Sequence, residues 1–264
     1  MHPSRDSGVS SDAVDSRVAI VTGASSGIGE ATARLLGQNG VDVALVARRR
    51  DRIEAVASEI VAAGGQALPV TADLSEPRAP WRIVDAVLES RGRLDVIVNN
   101  AAALYIKHVE EFTLEEFDEL VAVNLRAPYF LVQAALPALR KAPAPVVVNV
   151  SSAAAAMYRV RQTAYGLTKA GLEHMTMNMA AELAPDGIRV ACVRPGPVRT
   201  ELHRAVPDPE ERMRELAKSV PLGRLGEPEE LARWIWHLVD PASGWVTGCV
   251  VTVDGGRVLG APGT

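Results

Sequence analysis

The sequence predicts an α/β fold: a single-domain, doubly wound, mainly seven-stranded parallel sheet flanked by helices. Three observations lead there. Seven short, β-branched, nearly continuous apolar runs are spaced along the chain, amphipathic stretches alternate with them, and neither an internal repeat nor a linker divides it. Continuous apolar runs suit parallel strands covered on both faces, and alternation with helices is the pattern of a doubly wound sheet.

The strand candidates are Val18–Val21, Val41–Ala47, Ala67–Val70, Leu94–Val98, Pro145–Val150, Ile188–Val193 and Val246–Val253. Helical periodicity covers Ile28–Gln38, Arg52–Ala63, Trp81–Arg91, Leu114–Arg140, Thr163–Ala184 and Pro228–Val239. Thr113 and Glu116 form a capping-box pattern at the start of the fourth helix. Residues 1–16 are rich in Ser and Asp and lack an apolar segment, so they read as a mobile head rather than a secretory signal. Residues 17–264 form the one folded domain.

Composition narrows the function classes. The 264 residues are 48% hydrophobic, enough for one well-buried domain. A net charge of −4 disfavours a nucleic-acid partner. Cys192 and Cys249 sit in apolar runs, which suits small core residues in a reducing, cytoplasmic compartment. The five histidines show no metal-ligand spacing, so no metal site is expected. No continuous apolar run reaches the roughly 18 residues of a membrane span, so no membrane partner is expected.

The first strand runs directly into Thr22-Gly23-Ala24-Ser25-Ser26-Gly27-Ile28-Gly29, and a helix follows. Gly23 permits a tight turn, Gly27 lets the backbone approach a pyrophosphate, and Gly29 allows close packing. The helix start offers N–H groups and the positive end of its dipole. This makes the sheet Rossmann-type, with ligands at the carboxyl ends of the strands. A ribose-binding acid commonly ends the second strand of such folds. Here that strand ends in Ala47 and continues as Arg48-Arg49-Arg50, while Asp42 lies too early to reach a ribose. A guanidinium suits a 2′-phosphate. The expected cofactor is NADP(H), with Arg48 the first choice for the phosphate, Arg49 the second, and Ser25 assisting. NAD(H) stays open, because the arginines also fit a solvated loop.

Tyr165 and Lys169 lie one helical turn apart and so share a face. With four tyrosines and four lysines in the chain, chance gives such a pair in roughly 6% of cases. Carbonyl reduction needs a proton donor at oxygen as hydride reaches carbon, and a nearby ammonium favours the phenolate. Ser152, at the end of the fifth strand, can hold a substrate oxygen. Asn124 interrupts an apolar helix face, where a buried amide can order a water chain to Lys169.

These motifs resemble the short-chain dehydrogenase/reductase family from about Ser16 to Gly256. The matching residues are the glycine-rich turn, Asp73-Leu74, Asn99-Asn100-Ala101-Ala102, Asn124, Ser152, Tyr165-Gly166-Leu167-Thr168-Lys169 and Pro195-Gly196-Pro197-Val198-Arg199-Thr200. Trp245-Val246-Thr247-Gly248 and Val253-Asp254-Gly255-Gly256 complete the pattern. The resemblance implies Tyr165 as general acid/base, Lys169 on the nicotinamide ribose, Ser152 orienting the substrate, and Asn124 in a proton relay. It places Asp73 at the adenine, Asn100 and Ala101 beside the ribose, and Pro195, Gly196, Val198 and Thr200 around the carboxamide and pyrophosphate. One departure is Ala102, where the family usually has glycine.

The substrate pocket is expected from Leu104, Tyr105, Ala153, Met157, Tyr158, Val160, Leu202 and His203, a mostly apolar set suited to a modest organic carbonyl or alcohol. Arg159 and Arg161 read as solvent-facing, with attraction of an anionic substrate as the alternative. Residues 200–221 resemble the family's substrate lid. The leading expectation is a ketone or 3-oxoacyl reductase. Other readings are an NAD-dependent alcohol or polyol dehydrogenase, an epimerase or dehydratase, and a non-catalytic NADP(H) sensor. The long apolar helices point to a homo-oligomer, a dimer or tetramer.

Overall fold

A computed structural model describes residues 16–200 and 209–260. Seven parallel strands form one sheet in the order β3-β2-β1-β4-β5-β6-β7. They are β1 (Val18–Thr22), β2 (Asp42–Ala47), β3 (Ala67–Thr71), β4 (Val96–Asn99), β5 (Val146–Val150), β6 (Arg189–Pro195) and β7 (Val250–Val253). Among the described residues, eight α-helices accompany them: α1 (Gly27–Gln38), α2 (Arg50–Ala62), α3 (Ala79–Arg91), α4 (Leu114–Val121), α5 (Ala127–Leu139), α6 (Thr163–Leu183), α7 (Pro209–Lys218) and α8 (Pro228–Val239).

The period-2 alternation of the strands divides the core in two. Ala19, Val21, Leu45, Val98 and Val148 meet Leu36, Ile53, Leu231 and Ile235 of α1, α2 and α8. Ile20, Ala44, Ile97 and Val147 point the other way, to Ile83, Leu131 and Met179 of α3, α5 and α6. Helices therefore cover both faces, and the strand order reverses between β1 and β4. That reversal opens a crevice at the carboxyl ends of these strands.

Some boundaries differ from the sequence expectation. β4 starts at Val96 because the buried Asp95 side chain takes the Val18 N–H at 2.8 Å. β7 starts at Val250 because Gly248 turns the backbone to φ +69° and Thr247 Oγ1 accepts the Val190 N–H at 3.1 Å. The capping box of Thr113 and Glu116 is formed. The long fourth helix is interrupted by a π-turn at Ala122–Arg126, which separates α4 from α5. Taken as one span, Leu114–Leu139 is long and apolar enough to cross a membrane. Its Leu131, Val132, Ala135 and Leu139 instead pack into the core. The expected lid contains α7, hidden in the sequence by its charges and flanking prolines. Residues 201–208, with Leu202 and His203, lie outside the described residues, as do residues 1–15 of the expected head.

Candidate active site

A cleft of about 530 Å³ occupies the crevice, within the range of small-molecule sites. Its floor is the glycine-rich turn. Gly23, at φ +67°, takes a left-handed conformation that side chains disfavour. Gly29 lies behind the turn, where a Cβ would fall 2.3 Å from the Gly23 carbonyl and 2.4 Å from the Asn100 amide. The residue after β4 therefore packs directly on the turn. Asn100 Nδ2 donates to the Thr22 carbonyl at 2.9 Å, and its backbone N–H to Thr22 Oγ1 at 3.0 Å. The α1 N-cap, Ser26, makes no side-chain cap bond, so the first N–H groups of that helix face the cleft uncapped. Gly23, Ser25, Ser26, Gly27, Ile28, Asn100, Ala101 and Thr200 all line this region.

At the mouth of the cleft, Arg49 Nη2 reaches Ser25 Oγ at 2.9 Å and Ser26 Oγ at 3.0 Å. Arg48 lines the same wall, with Asp73 and Leu74 nearby. Asp73 holds the Ser75 N–H at 2.9 Å. Asp42 is buried at the opposite end of β2, paired with Arg91 at 2.5 Å, well away from the cleft. Two guanidiniums and two hydroxyls at the end of β2 fit a phosphate. The glycine cradle and uncapped helix fit a pyrophosphate. The residues present therefore fit a nicotinamide dinucleotide. The structure brings Arg49, rather than Arg48, onto the serines.

Deeper in the cleft, the candidate acid/base group Tyr165 and its neighbour Lys169 are buried on α6. Ser152 lines the cleft beside the Tyr165 phenol. Ser152 also caps the following turn, accepting the Ala154 N–H at 3.2 Å. Lys169 Nζ donates to the Val150 carbonyl at 2.8 Å and lies 5.9 Å from the Tyr165 ring centre. Burial pushes the Tyr165 phenol up to about 12, against the lowering effect of Ser152. Burial pushes Lys169 down to about 8, with Cys192 and Glu173 opposing. A nearby ammonium such as Lys169 is expected to lower the phenol. In the fold, the cost of charging a buried phenol is the larger effect. An oxidised nicotinamide, when bound, supplies both a hydride acceptor and the second positive charge a phenolate here needs. Pro195, Gly196 and Val198 line the wall beside this pair.

Asn124 sits in the π-turn, fully buried and behind the cleft. Its Nδ2 donates to Ala103 O and Thr168 Oγ1, both at 3.0 Å, and its Oδ1 accepts the Ala103 N–H at 2.9 Å. These bonds pin the loop after β4 to α6.

Leu104, Tyr105 and Ala153 line the substrate side as expected, and Tyr105 bonds Glu119. Met157, Tyr158 and Val160 do not line it; Tyr158 is 93% exposed and Val160 76%. Arg159 and Gln162 line it in their place. The cause is Arg161, which turns to φ +67°. Its carbonyl accepts the Lys107 N–H at 3.0 Å, and its guanidinium reaches the Ile106 carbonyl at 3.2 Å. This turn swings the apolar residues outward. Ile106, Val123 and Leu216 complete the wall. Arg159, Gln162 and Ile106 come from loops, Val123 from the π-turn and Leu216 from α7.

A parallel sheet with a glycine-rich turn at its switch point, and Ser152 beside the buried Tyr165 and Lys169 in the same cleft, defines a class of nucleotide-dependent oxidoreductases. The comparisons with known proteins agree. A family model described as Enoyl-(Acyl carrier protein) reductase matches residues 23–257. A 3-oxoacyl-[acyl-carrier-protein] reductase of Thermotoga maritima is 34% identical, covering 93% of this chain and 99% of its own. A cyclohexanol dehydrogenase of an Acinetobacter species is also 34% identical, covering 94% and 97%. The solved short-chain dehydrogenase/reductase of Serratia marcescens superposes with a TM-score of 0.86 at 34% identity, over 92% of this chain and 98% of that one. The chain belongs to the short-chain dehydrogenase/reductase family, and it is an oxidoreductase.

Proposed function

We propose that the protein is an NADP(H)-dependent ketone or 3-oxoacyl reductase, running in reverse as a secondary-alcohol dehydrogenase. One observation carries the reading: Ser152, Tyr165 and Lys169 line the same cleft whose mouth holds Arg49 against Ser25 and Ser26. In reduction, Ser152 and Tyr165 hold the carbonyl oxygen and Tyr165 gives it a proton. Lys169 binds the nicotinamide ribose and restrains Tyr165. Asn124 positions the loop that covers the substrate. Arg48 and Arg49 take the 2′-phosphate, and the end of β2, Ala47, lacks the acid that would favour a free ribose hydroxyl. The names of the Thermotoga and Acinetobacter relatives support a carbonyl or alcohol substrate.

We further propose a homo-oligomer working in a reducing compartment. Exposed Leu114, Phe117, Tyr129, Leu167 and Met177 on α4, α5 and α6 support association. Cys192 and Cys249 are both free thiols, Cys192 buried in the sheet, which supports the compartment.

The test is NADPH oxidation with a panel of ketones and 3-oxoacyl thioesters, on wild type and Tyr165→Phe. Turnover should fall about 100-fold or more in the variant, the scale of a lost general acid. An unchanged rate would overturn the assignment.

A further inference from the structure

Glu173 follows Lys169 by one turn of α6 and is buried, with 8% of its surface exposed. A buried carboxylate needs partners, and this one takes three hydrogen bonds from two residues. Its Oε1 accepts from Ser151 Oγ at 2.7 Å and from Arg194 Nε at 2.8 Å. Its Oε2 accepts from Arg194 Nη2 at 2.6 Å. Arg194 continues to Thr252 Oγ1 on β7 at 2.9 Å.

The position of these partners along the chain carries the argument. Ser151 immediately precedes Ser152. Arg194 immediately precedes Pro195 and Gly196, which line the cleft. Lys169 stands one turn earlier on the helix that bears Glu173, and Ser151 Oγ also reaches the Lys169 carbonyl at 3.3 Å. A single carboxylate thus ties together the end of β5, the middle of α6 and the end of β6. Each of these segments delivers a group to the cleft, yet Glu173 itself does not line it.

From this geometry we infer that Glu173 is a positioning residue: it sets Ser152, Lys169 and the Pro195–Gly196 wall in register and biases Lys169 toward its ammonium form. The role of Lys169 and Ser152 in that statement rests on the function proposed above. A bidentate carboxylate–guanidinium pair is rigid in both distance and plane, which suits this task. A hydrophobic residue of similar size would fill the space without fixing any of the three segments.

The charges around Lys169 can be named from each packed element. Tyr165 lies on its own helix, a neutral phenol with its pKa pushed up to about 12. Cys192 comes from β6, its thiol also pushed up to about 12 by burial. Arg194 comes from β6 too, held above its ordinary value by its bond to Glu173, and it feels Asp254 beyond β7. Val150 of β5 offers only a carbonyl. Glu173 is the carboxylate among these groups that acts on Lys169, raising it against the effect of burial.

The experiment uses the full chain with its lysines labelled with ¹³C at Cε. The four lysines of the sequence make the spectrum simple to assign, with Lys169→Arg to mark its own signal. In wild type, Lys169 should titrate near pH 8. Glu173→Gln keeps the shape and removes the charge, so the midpoint should move to lower pH. Arg194→Gln leaves the carboxylate without its guanidinium and should move the midpoint to higher pH, which keeps the test alive if Glu173→Gln does not fold. NADPH affinity, read by fluorescence, should weaken severalfold in both. A merely structural Glu173 would lower the melting temperature and leave the Lys169 midpoint unchanged; that result overturns the inference. The test is separable from the proposed function. A fixed midpoint defeats Glu173 even where Tyr165→Phe abolishes turnover. A moved midpoint with an active Tyr165→Phe defeats the catalytic reading alone.

Discussion

Lys169 lies 5.9 Å from the ring centre of Tyr165, and both are buried on the same face of α6. Burial shifts each toward its neutral form, Lys169 downward and Tyr165 upward, and this makes stability depend on pH. Lys169 falls from 10.5 to about 8 in the fold. Between those values the unfolded chain binds more protons than the native one, so stability rises with pH. Tyr165 rises from 10.0 to about 12. Between those values the native state holds the extra proton, so its contribution is complete below pH 10 and is lost toward 12. Without nucleotide, the melting temperature of wild type relative to Lys169→Met should climb between pH 8 and 10. Relative to Tyr165→Phe it should decline above pH 10. Flat difference curves would mean that neither group titrates as its burial implies.

The Asn124 amide gives a sharper stability test, because its orientation is fixed by chemistry. Its Nδ2 donates to two acceptors, Ala103 O and Thr168 Oγ1, and its Oδ1 accepts from one donor. Asn124→Asp replaces the donor with a second acceptor, directed at a carbonyl in a fully buried place. The cost of an unsatisfied buried polar group is about 1–3 kcal/mol, and more for a charged one. Asn124→Asp should therefore unfold at lower denaturant than Asn124→Ala despite its closer shape. If the aspartate variant is the more stable of the two, the amide bonds described here do not hold the loop.

Arg49 and Arg48 share the wall at the end of β2, but only Arg49 is seen on the serines. A hydrogen bond to a charged group contributes about 1.5–3 kcal/mol, or roughly tenfold to 100-fold in affinity. Arg49→Ala should weaken NADPH binding by about that factor and leave NADH nearly unchanged. Arg48→Ala should act in the same direction, and Arg48→Ala with Arg49→Ala should bring the two cofactors close to parity. Calorimetric titration with both nucleotides checks this. Equal weakening of NADPH and NADH would place the arginines outside the 2′-phosphate contact.

Much of the fold was legible because strands buried on both faces are written as unbroken apolar runs. Val18–Val21 and Pro145–Val150 are examples, and their order along the chain sets the winding. The glycine turn was legible for a related reason: Gly23 and Gly29 occupy places where a side chain has no room. Local propensity did not reveal the π-turn around Asn124, since Ala122–Arg126 has ordinary helical composition. Nor did it reveal which residues of the loop before α6 face inward. That choice goes with Arg161, whose carbonyl is held by Lys107 and whose guanidinium is held by Ile106 from a distant segment. The Glu173–Arg194 pair was equally hidden, because its partners lie 21 residues apart and meet only through the sheet. Spacing rules read one element at a time, so a bond between elements leaves no trace in them.

The last prediction concerns the faces of α4, α5 and α6 that the core does not use. On α6, Met179 turns into the core while Met177 is 48% exposed. Leu167, on the same helix, is 58% exposed. On α4 and α5, Leu114 is 70% exposed and Tyr129 46%. An isolated exposed apolar side chain is ordinary, but several on adjacent helices are a common mark of association. A closed symmetric assembly would bury the same face twice, once from each copy. Light scattering of the wild type should therefore report a dimer or tetramer at micromolar concentration. Leu167→Glu combined with Tyr129→Lys should shift the population toward monomer, while the circular dichroism spectrum stays native because both sites lie outside the two cores. A wild-type monomer at every concentration, or an assembly indifferent to both substitutions, would show that this face is not the interface.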